Sequence, residues 1–285
     1  MTKLHCLGTA GYHPSETRHT SCFFLDKPSI LFDAGTPVFR LRELLTAPSL
    51  SILLSHTHLD HVMGLTYFWD LIAPHTPLQT VHLYAQQKKL DAIERHLFHP
   101  DLFPVIPPFV FHPLEQLGNR FPLGDAECTW FEVEHPGGAV GFRLDFPDYS
   151  IGYVTDTTCA IDAAYWKHIQ GVDWLIHECN FTDEPRDREM AVHTGHSWTS
   201  EVLQAALEHG IERLILTHLN PMADDRDPLG FADGSGTEWS QRSVDSRRAY
   251  CGQASSRKLH VATDLLVLDL PVRMSEASKA TRAKA

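Results

Sequence analysis

The hexapeptide His56-Thr57-His58-Leu59-Asp60-His61 constrains this chain more than any other segment. It puts four side chains able to ligate a metal into one turn, directly behind the apolar run Leu50-Ser51-Ile52-Leu53-Leu54. A short apolar run of that kind reads as a buried strand, so the turn lies at the C-terminal edge of a sheet. The alternation divides the ligands: His56 and His58 can point at one metal while Asp60 and His61 turn toward a second. Neutral imidazole suits zinc, and an oxygen ligand beside it leaves room for a bound water. A lone histidine on an apolar face is ordinarily a core residue with satisfied hydrogen bonds. Three of them with a carboxylate, in six positions behind a strand, form a metal-site pattern.

The same order, apolar strand and then ligand, recurs along the chain. Glu134-His135 follows Phe131-Glu132-Val133, Asp156 follows Gly152-Tyr153-Val154-Thr155, and His218 follows Leu214-Ile215-Leu216-Thr217. One sheet edge is thus expected to carry His56, His58, Asp60, His61, His135, Asp156 and His218. These ligands suffice for two metals if one carboxylate bridges them. His56, His58 and His135 would hold the first, Asp60, His61 and His218 the second, with Asp156 between. A water bridging two ions about 3.5–4 Å apart becomes hydroxide at neutral pH, and the pair clamps both oxygens of a displacement. The expectation is two Zn2+, with Mn2+ and Fe2+ left open because this ligand set suits all three.

Runs of short strands interrupted by single helices predict two packed sheets with helices outside, in one domain over residues 1–270. Strands are expected at Leu4–Leu7, Ser21–Leu25, Ile30–Asp33, Val81–Tyr84, Cys128–Val133, Val140–Phe146, Tyr149–Thr155, Trp174–His177 and Leu214–Leu216, with a final one over Leu259–Leu270. Helical spacing marks Val38–Leu45, Val62–Ile72, Gln86–Phe98 and Thr199–His209, the last with Gly210 as its cap. The proline-rich stretch 100–114 reads as a loop or irregular edge. Residues 223–240 read as a long loop, and the tail 271–285 as disordered.

Composition sets outer limits. A hydrophobic fraction of 43% and a charged fraction of 21% are those of an ordinary globular protein, and 285 residues can bury a sizeable core. The net charge of −12 argues against a surface built for nucleic acid. Two dications inside that acidic shell would still make a positive hole for a small anion. Six scattered cysteines without a C-x-x-C pair read as reduced and mostly buried. There is no targeting pattern at Met1–Cys6 and no apolar run long enough for a bilayer, so a cytoplasmic protein without membrane contact is expected.

These motifs resemble the metallo-β-lactamase superfamily, whose fold is an α/β (α+β) four-layer αββα sandwich with a dinuclear site along one edge. The resemblance runs from about Leu4 to Leu268. Leu7-Gly8-Thr9 with Arg18 and Ser21, Leu31-Phe32-Asp33-Ala34-Gly35, His177-Glu178-Cys179-Asn180-Phe181, and Gly195-His196-Ser197 with Ala205-Ala206 are similar to the RNase Z-like phosphodiesterase branch. By position, the resemblance implies that His196 lies over the scissile phosphate and Glu178 orients it, while Asp60 orients or deprotonates the attacking hydroxide. Independently, phosphoryl transfer needs charge neutralised on oxygen and a proton for the departing alkoxide, and an imidazole backed by a carboxylate supplies both. The remaining histidines read as structural or surface residues.

The chain departs from the tRNA-processing members of that branch. Only His135 to Asp156 separates the third and fourth motifs, enough for a hairpin but not for a tRNA-gripping arm. A basic cluster, Arg242, Arg247, Arg248, Arg257 and Lys258, falls in what reads as a solvated loop before the last strand. The expected activity is therefore a dizinc phosphodiesterase acting on a small or cyclic phosphodiester, with tRNA an unlikely partner. A thioesterase or lactonase of glyoxalase-II type is the alternative, and a tRNA 3′-end endonuclease or a non-catalytic metal-binding protein ranks behind it. The resemblance also implies a homodimer.

Overall fold

The structure is a computed structural model that describes residues 1–74, 76–232, 238–252 and 257–270. The chain folds into two mixed sheets, seven strands in each among the described residues. The first sheet holds β1 (Thr2–Gly8), β2 (Cys22–Leu25), β3 (Ile30–Phe32), β4 (Ser49–Leu53), β5 (Thr80–Ala85), β6 (Phe109–Pro113) and β14 (Leu266–Leu270). Its order is β14-β1-β2-β3-β4-β5-β6. The second holds β7 (Arg120–Leu123), β8 (Ala126–Val133), β9 (Ala139–Asp145), β10 (Ser150–Val154), β11 (Trp174–Glu178), β12 (Arg213–Thr217) and β13 (Lys258–Val261). They lie in the order β13-β12-β11-β10-β9-β8-β7. Each sheet is antiparallel on one side and parallel on the other. β3 to β6 run parallel, and so do β10 to β13.

Period-two side chains build the layers. Leu4 and Cys6 of β1, Phe23 and Leu25 of β2, Ile151 and Tyr153 of β10 and Ile176 of β11 all meet in the core between the sheets. The alternate residues, such as Phe24, Ile52, Val81 and Leu83, pack outward under the helical segments of the first half. Val154, Leu175, Leu214 and Leu216 do the same on the other sheet, beneath the helix Thr199–Glu208. Strands covered on both faces read as unbroken apolar runs, which is why β4 and β12 stand out in the sequence. All six thiols are free, and five are buried as expected while Cys251 is exposed. Among the described residues, no helix is long and apolar enough to cross a membrane.

Several expected elements come out differently. Leu259–Leu270 is two strands in two sheets, β13 and β14, separated by a crossing at Thr263–Leu265. Asp264 fixes that crossing by accepting from Thr9 Oγ1 at 2.9 Å, the His19 amide at 2.8 Å and Arg40 at 2.7 Å. The basic cluster is not in a loop: Arg242, Arg247 and Arg248 lie on the helix Glu238–Gly252, and Lys258 opens β13. Only Ser243, Val244 and Tyr250 of that helix are buried, so its apolar periodicity is too faint to read. Part of the expected 223–240 loop and the whole 271–285 tail fall outside the described residues. The proline-rich stretch contains β6 at the sheet edge, where a missing N–H is tolerated. The helix Pro185–Thr194 has no counterpart in the sequence reading.

Helices expected over Val62–Ile72 and Gln86–Phe98 are broken. The first is two short α-turns, Leu59–Val62 and Phe68–Leu71, around a 3-10 segment. The second passes from α-helix to π-helix at Ile93, and the segment expected to be helical over Val38–Leu45 is a 3-10 helix, Thr36–Glu43. The first break has a packing cause. The Gly64 amide donates to Ala34 O at 2.8 Å, and a Cβ there would lie 2.2 Å from Gly35 O and 2.5 Å from Val38 Cγ2. The histidine turn is thereby clamped against the loop after β3. Gly64→Ala should lower unfolding free energy by about 1–3 kcal/mol, seen as a reduced urea midpoint at unchanged slope.

Candidate metal centre

The site lies where parallel strands deliver their C-terminal ends, the position where open α/β sheets place ligands. β3 leads into Asp33, β4 into His56 and β10 into Asp156, β11 ends in Glu178, and β12 leads into His218. β8, whose neighbours are antiparallel, delivers His135. Three of these residues leave their strands with a left-handed backbone: Asp33 at φ 54°, Asp156 at φ 48° and His218 at φ 54°. The left-handed region is costly for any non-glycine residue and clusters at functional sites. Here it turns each side chain off the strand axis into the gap between the sheets.

All the ligands expected from the sequence come together. His56, His58, His135 and Asp156 form one cluster, and Asp60, His61 and His218 another. Donor atoms around one tetrahedral zinc-sized ion, at about 2.0–2.1 Å from it, must lie about 3.3 Å apart. In the first cluster His58 Nδ1 is 3.2 Å from His135 Nε2, and Asp156 Oδ2 is 3.5 Å from His135 Nε2 and 3.6 Å from His56 Nε2. In the second, His61 Nε2 and His218 Nε2 are 3.2 Å apart, and Asp60 Oδ2 is 3.3 Å from each. Asp156 Oδ1 lies 3.2 Å from both of those nitrogens. One oxygen of Asp156 therefore serves each cluster, the geometry of a bridging carboxylate. His56 Nε2 is buried with no hydrogen-bond partner, an arrangement a protein rarely leaves uncompensated. The donor set fits two metal ions.

Behind the ligands stands Asp33, fully buried. His61 Nδ1 donates to its Oδ2 at 2.7 Å, and the Tyr153 hydroxyl donates to the same oxygen at 2.7 Å. The Ser55 amide donates to Oδ1 at 2.7 Å, and Ser55 Oγ, 3.0 Å from His56 Nδ1, sits against both carboxylate oxygens. His135 Nδ1 donates to Gly195 O at 3.0 Å. Such contacts fix each ring so that its other nitrogen faces the metal. Gly11 closes the floor: a Cβ there would meet the His218 ring at 2.4 Å. In the sequence Asp33 stands within a motif without a role of its own, and Gly11 is not singled out. Their signal, an acid and a glycine at strand ends, is too common to isolate.

Charge in the cluster follows burial and neighbours. Burial pushes the His56 pKa well below the usual histidine range. Burial opposes charge on His61 too, but Asp156, Asp60 and Asp33 outweigh it and hold that ring protonated. Desolvation would raise Asp60 and Asp156, yet the surrounding imidazoles keep both well below the usual carboxylate range. Glu178 and His196 sit just outside. Fully buried Glu178 accepts from the Thr157 amide at 2.8 Å and from His196 Nδ1 at 3.1 Å. That bond leaves His196 Nε2 toward Asp156 and His218, with ring centroids 5.2 Å from both His218 and His135. Burial disfavours charge on His196, but Glu178 lifts its pKa to about 9.

Two outcomes follow. Asp33→Asn should weaken metal affinity roughly 10- to 100-fold in competition with a chromogenic chelator, at unchanged circular dichroism. Metal must displace the His61 proton, so binding should release protons and tighten as pH rises from 6 to 8. Calorimetry in buffers of different ionisation enthalpy reads this directly, and a buffer-independent heat would mean that His61 is already neutral.

Residues 29–219 match the family model described as a beta-lactamase superfamily domain. The ribonuclease Z of Kineococcus radiotolerans is 25% identical over 329 residues, spanning 98% of both chains. The ribonuclease Z of a Synechococcus strain is 27% identical over 285 residues, 75% of this chain and 85% of that one. Among solved structures, human short-form tRNase Z superposes with a TM-score of 0.68 at 21% identity, covering 94% of this chain and 99% of its own. YhfI of Bacillus subtilis gives 0.69 at 19% identity, covering 94% and 100%. A diphosphatase of the PhnP family gives 0.67 at 20% identity, covering 96% and 100%. Two facing mixed sheets, a histidine-rich centre at their edge and the family match agree: this chain belongs to the metallo-β-lactamase superfamily, on its RNase Z-like side.

Proposed function

We propose that this hydrolase is a dinuclear zinc phosphodiesterase for a small anionic substrate. The observation that carries the reading is the Glu178–His196 pair, an imidazole fixed by a buried carboxylate outside both ligand clusters. A departing alkoxide needs a proton, which such a pair supplies, whereas the thiolate released from a thioester leaves without one. The relatives named ribonuclease Z, which act on phosphodiesters of RNA, support the same chemistry.

His56, His58 and His135 would hold one ion, Asp60, His61 and His218 the other, with Asp156 shared. What the ions supply is Lewis acidity and a water of lowered pKa. The rest falls to the chain. Asp60 is pinned by the Tyr12 amide, which donates to its Oδ2 at 2.8 Å, so it is placed to orient the nucleophile. Glu178 holds the Nδ1 proton of His196, and Nε2 delivers its proton to the leaving oxygen. Lys88 borders the turn that follows His135: its Nζ is 3.2 Å from where a Cβ on Gly138 would sit. It would draw an anion toward the first cluster. The turn and the hairpin β9–β10 occupy the stretch between His135 and Asp156, which leaves no arm to grip tRNA and favours a small ester.

Metal-replete protein should turn over bis(p-nitrophenyl) phosphate. On an alkyl phosphodiester, whose leaving alkoxide needs a proton, His196→Ala should lower kcat roughly 10²- to 10⁴-fold with two metals still bound, and much less on bis(p-nitrophenyl) phosphate. A phosphodiester left intact while a thioester is cleaved would move the reaction to carbon. Lys88→Ala should raise KM roughly fivefold at low salt, about 1 kcal/mol, and much less at high salt. An equal effect at both salt levels would assign Lys88 to structure.

A further inference from the structure

Tyr12 is placed at a cost that its own fold does not repay. Its side chain is 78% exposed, and its backbone is left-handed at φ 63°, a conformation unfavourable for a bulky residue. Its ring pairs with that of its neighbour His13, edge-on at 4.9 Å. The position is nevertheless fixed. The Tyr12 amide donates to Asp60 Oδ2, the Gly11 amide donates to Leu219 O at 3.0 Å, and Gly11 packs on the His218 ring. The backbone thus carries the ring beside two ligands of the second cluster and leaves it in solvent. Leu59, between His58 and Asp60, is 62% exposed, and Met222, on the loop after His218, is 80% exposed. Two further large apolar side chains, on segments that follow or precede ligands of the second cluster, are thus exposed as well.

We infer that Tyr12 forms the floor of a subsite for a planar aromatic group on the substrate. The inference rests on the phosphodiesterase reading for the ester but not for the ring. Stacking on an exposed aromatic face tolerates any flat ring, whether a nucleobase or a simple aryl group. It also gives the strained, rigid Tyr12 backbone a use, because a platform held by main-chain bonds loses little freedom when a ligand lands on it.

The test compares ligands that differ only in the ring. In equilibrium binding to the protein as isolated with its metals, AMP should bind roughly tenfold more tightly than ribose 5-phosphate. Phenyl phosphate should show whether a simple aryl ring gains as much as adenine. Tyr12→Phe should keep the preference. Tyr12→Asn, which tolerates the left-handed backbone while removing the ring, should abolish it at unchanged metal content. The inference is overturned if wild-type protein binds AMP no better than ribose 5-phosphate, or if Tyr12→Asn retains the difference. An intact ring preference without phosphodiester turnover would instead sink the phosphodiesterase reading alone.

Discussion

The structure depends on one buried carboxylate. Asp33 is a carboxyl group at zero solvent exposure, which a fold tolerates only if the oxygens are filled by donors. They are, and the donors come from everything that matters to the site. His61 of the second cluster bonds to it directly, His56 of the first reaches it through Ser55, and Tyr153 reaches it from the other sheet. A single residue thereby orients a ligand in each half of the centre and ties the two sheets across the core. The Phe32 and Tyr153 rings, stacked at 4.9 Å, seal the same crossing from below.

Strain is spent where the ligands leave the strands. A residue continuing in β conformation would send its side chain up or down the pleat, not forward into the crevice. Asp33, Asp156 and His218 turn forward by entering the left-handed region, each directly or within two residues after its strand. Bonds made after the turn hold them there: the Asp33 amide donates to Leu53 O at 3.0 Å, and Asn180 Nδ2 donates to His218 O at 2.8 Å. The glycine at position 11 follows from the same crowding, since the chain must pass flat over a ring already fixed.

Much of this was legible in the sequence because the site uses strand ends. A largely apolar strand followed by histidine or aspartate is a local pattern, so His56 to His61, His135, Asp156 and His218 could be read without knowing which strands pair. The division of ligands between two metals was legible for the same reason, since alternation fixes which way neighbours point. What stayed hidden depends on long-range partners. Asp33 is one acid among many until Ser55, His61 and Tyr153 converge on it. Leu259–Leu270 is one apolar run until Asp264 divides it between sheets. The helix Glu238–Gly252 buries too few residues for its period to show, and Tyr12 has no signal at all, because exposure and backbone angle are not written in residue type.

The acidic character of the chain also takes its meaning from the site. Asp33, Asp60, Asp156 and Glu178 all converge on one crevice, so part of the net charge of −12 sits where an anionic substrate must approach. Four carboxyl groups outnumber the protonated rings of His61 and His196 and would repel such a substrate. Two dications offset those charges, and His196, held protonated by Glu178, adds one more positive group on the substrate side. The sign of the crevice therefore depends on metal occupancy, while the acidic exterior does not change with it. An acidic surface repels a long polyanion along its whole length, but a small ester senses mainly the crevice within a Debye length of about 8–10 Å. On the proposed reading, the charge distribution would select by size as well as by chemistry, in the direction of a small phosphodiester.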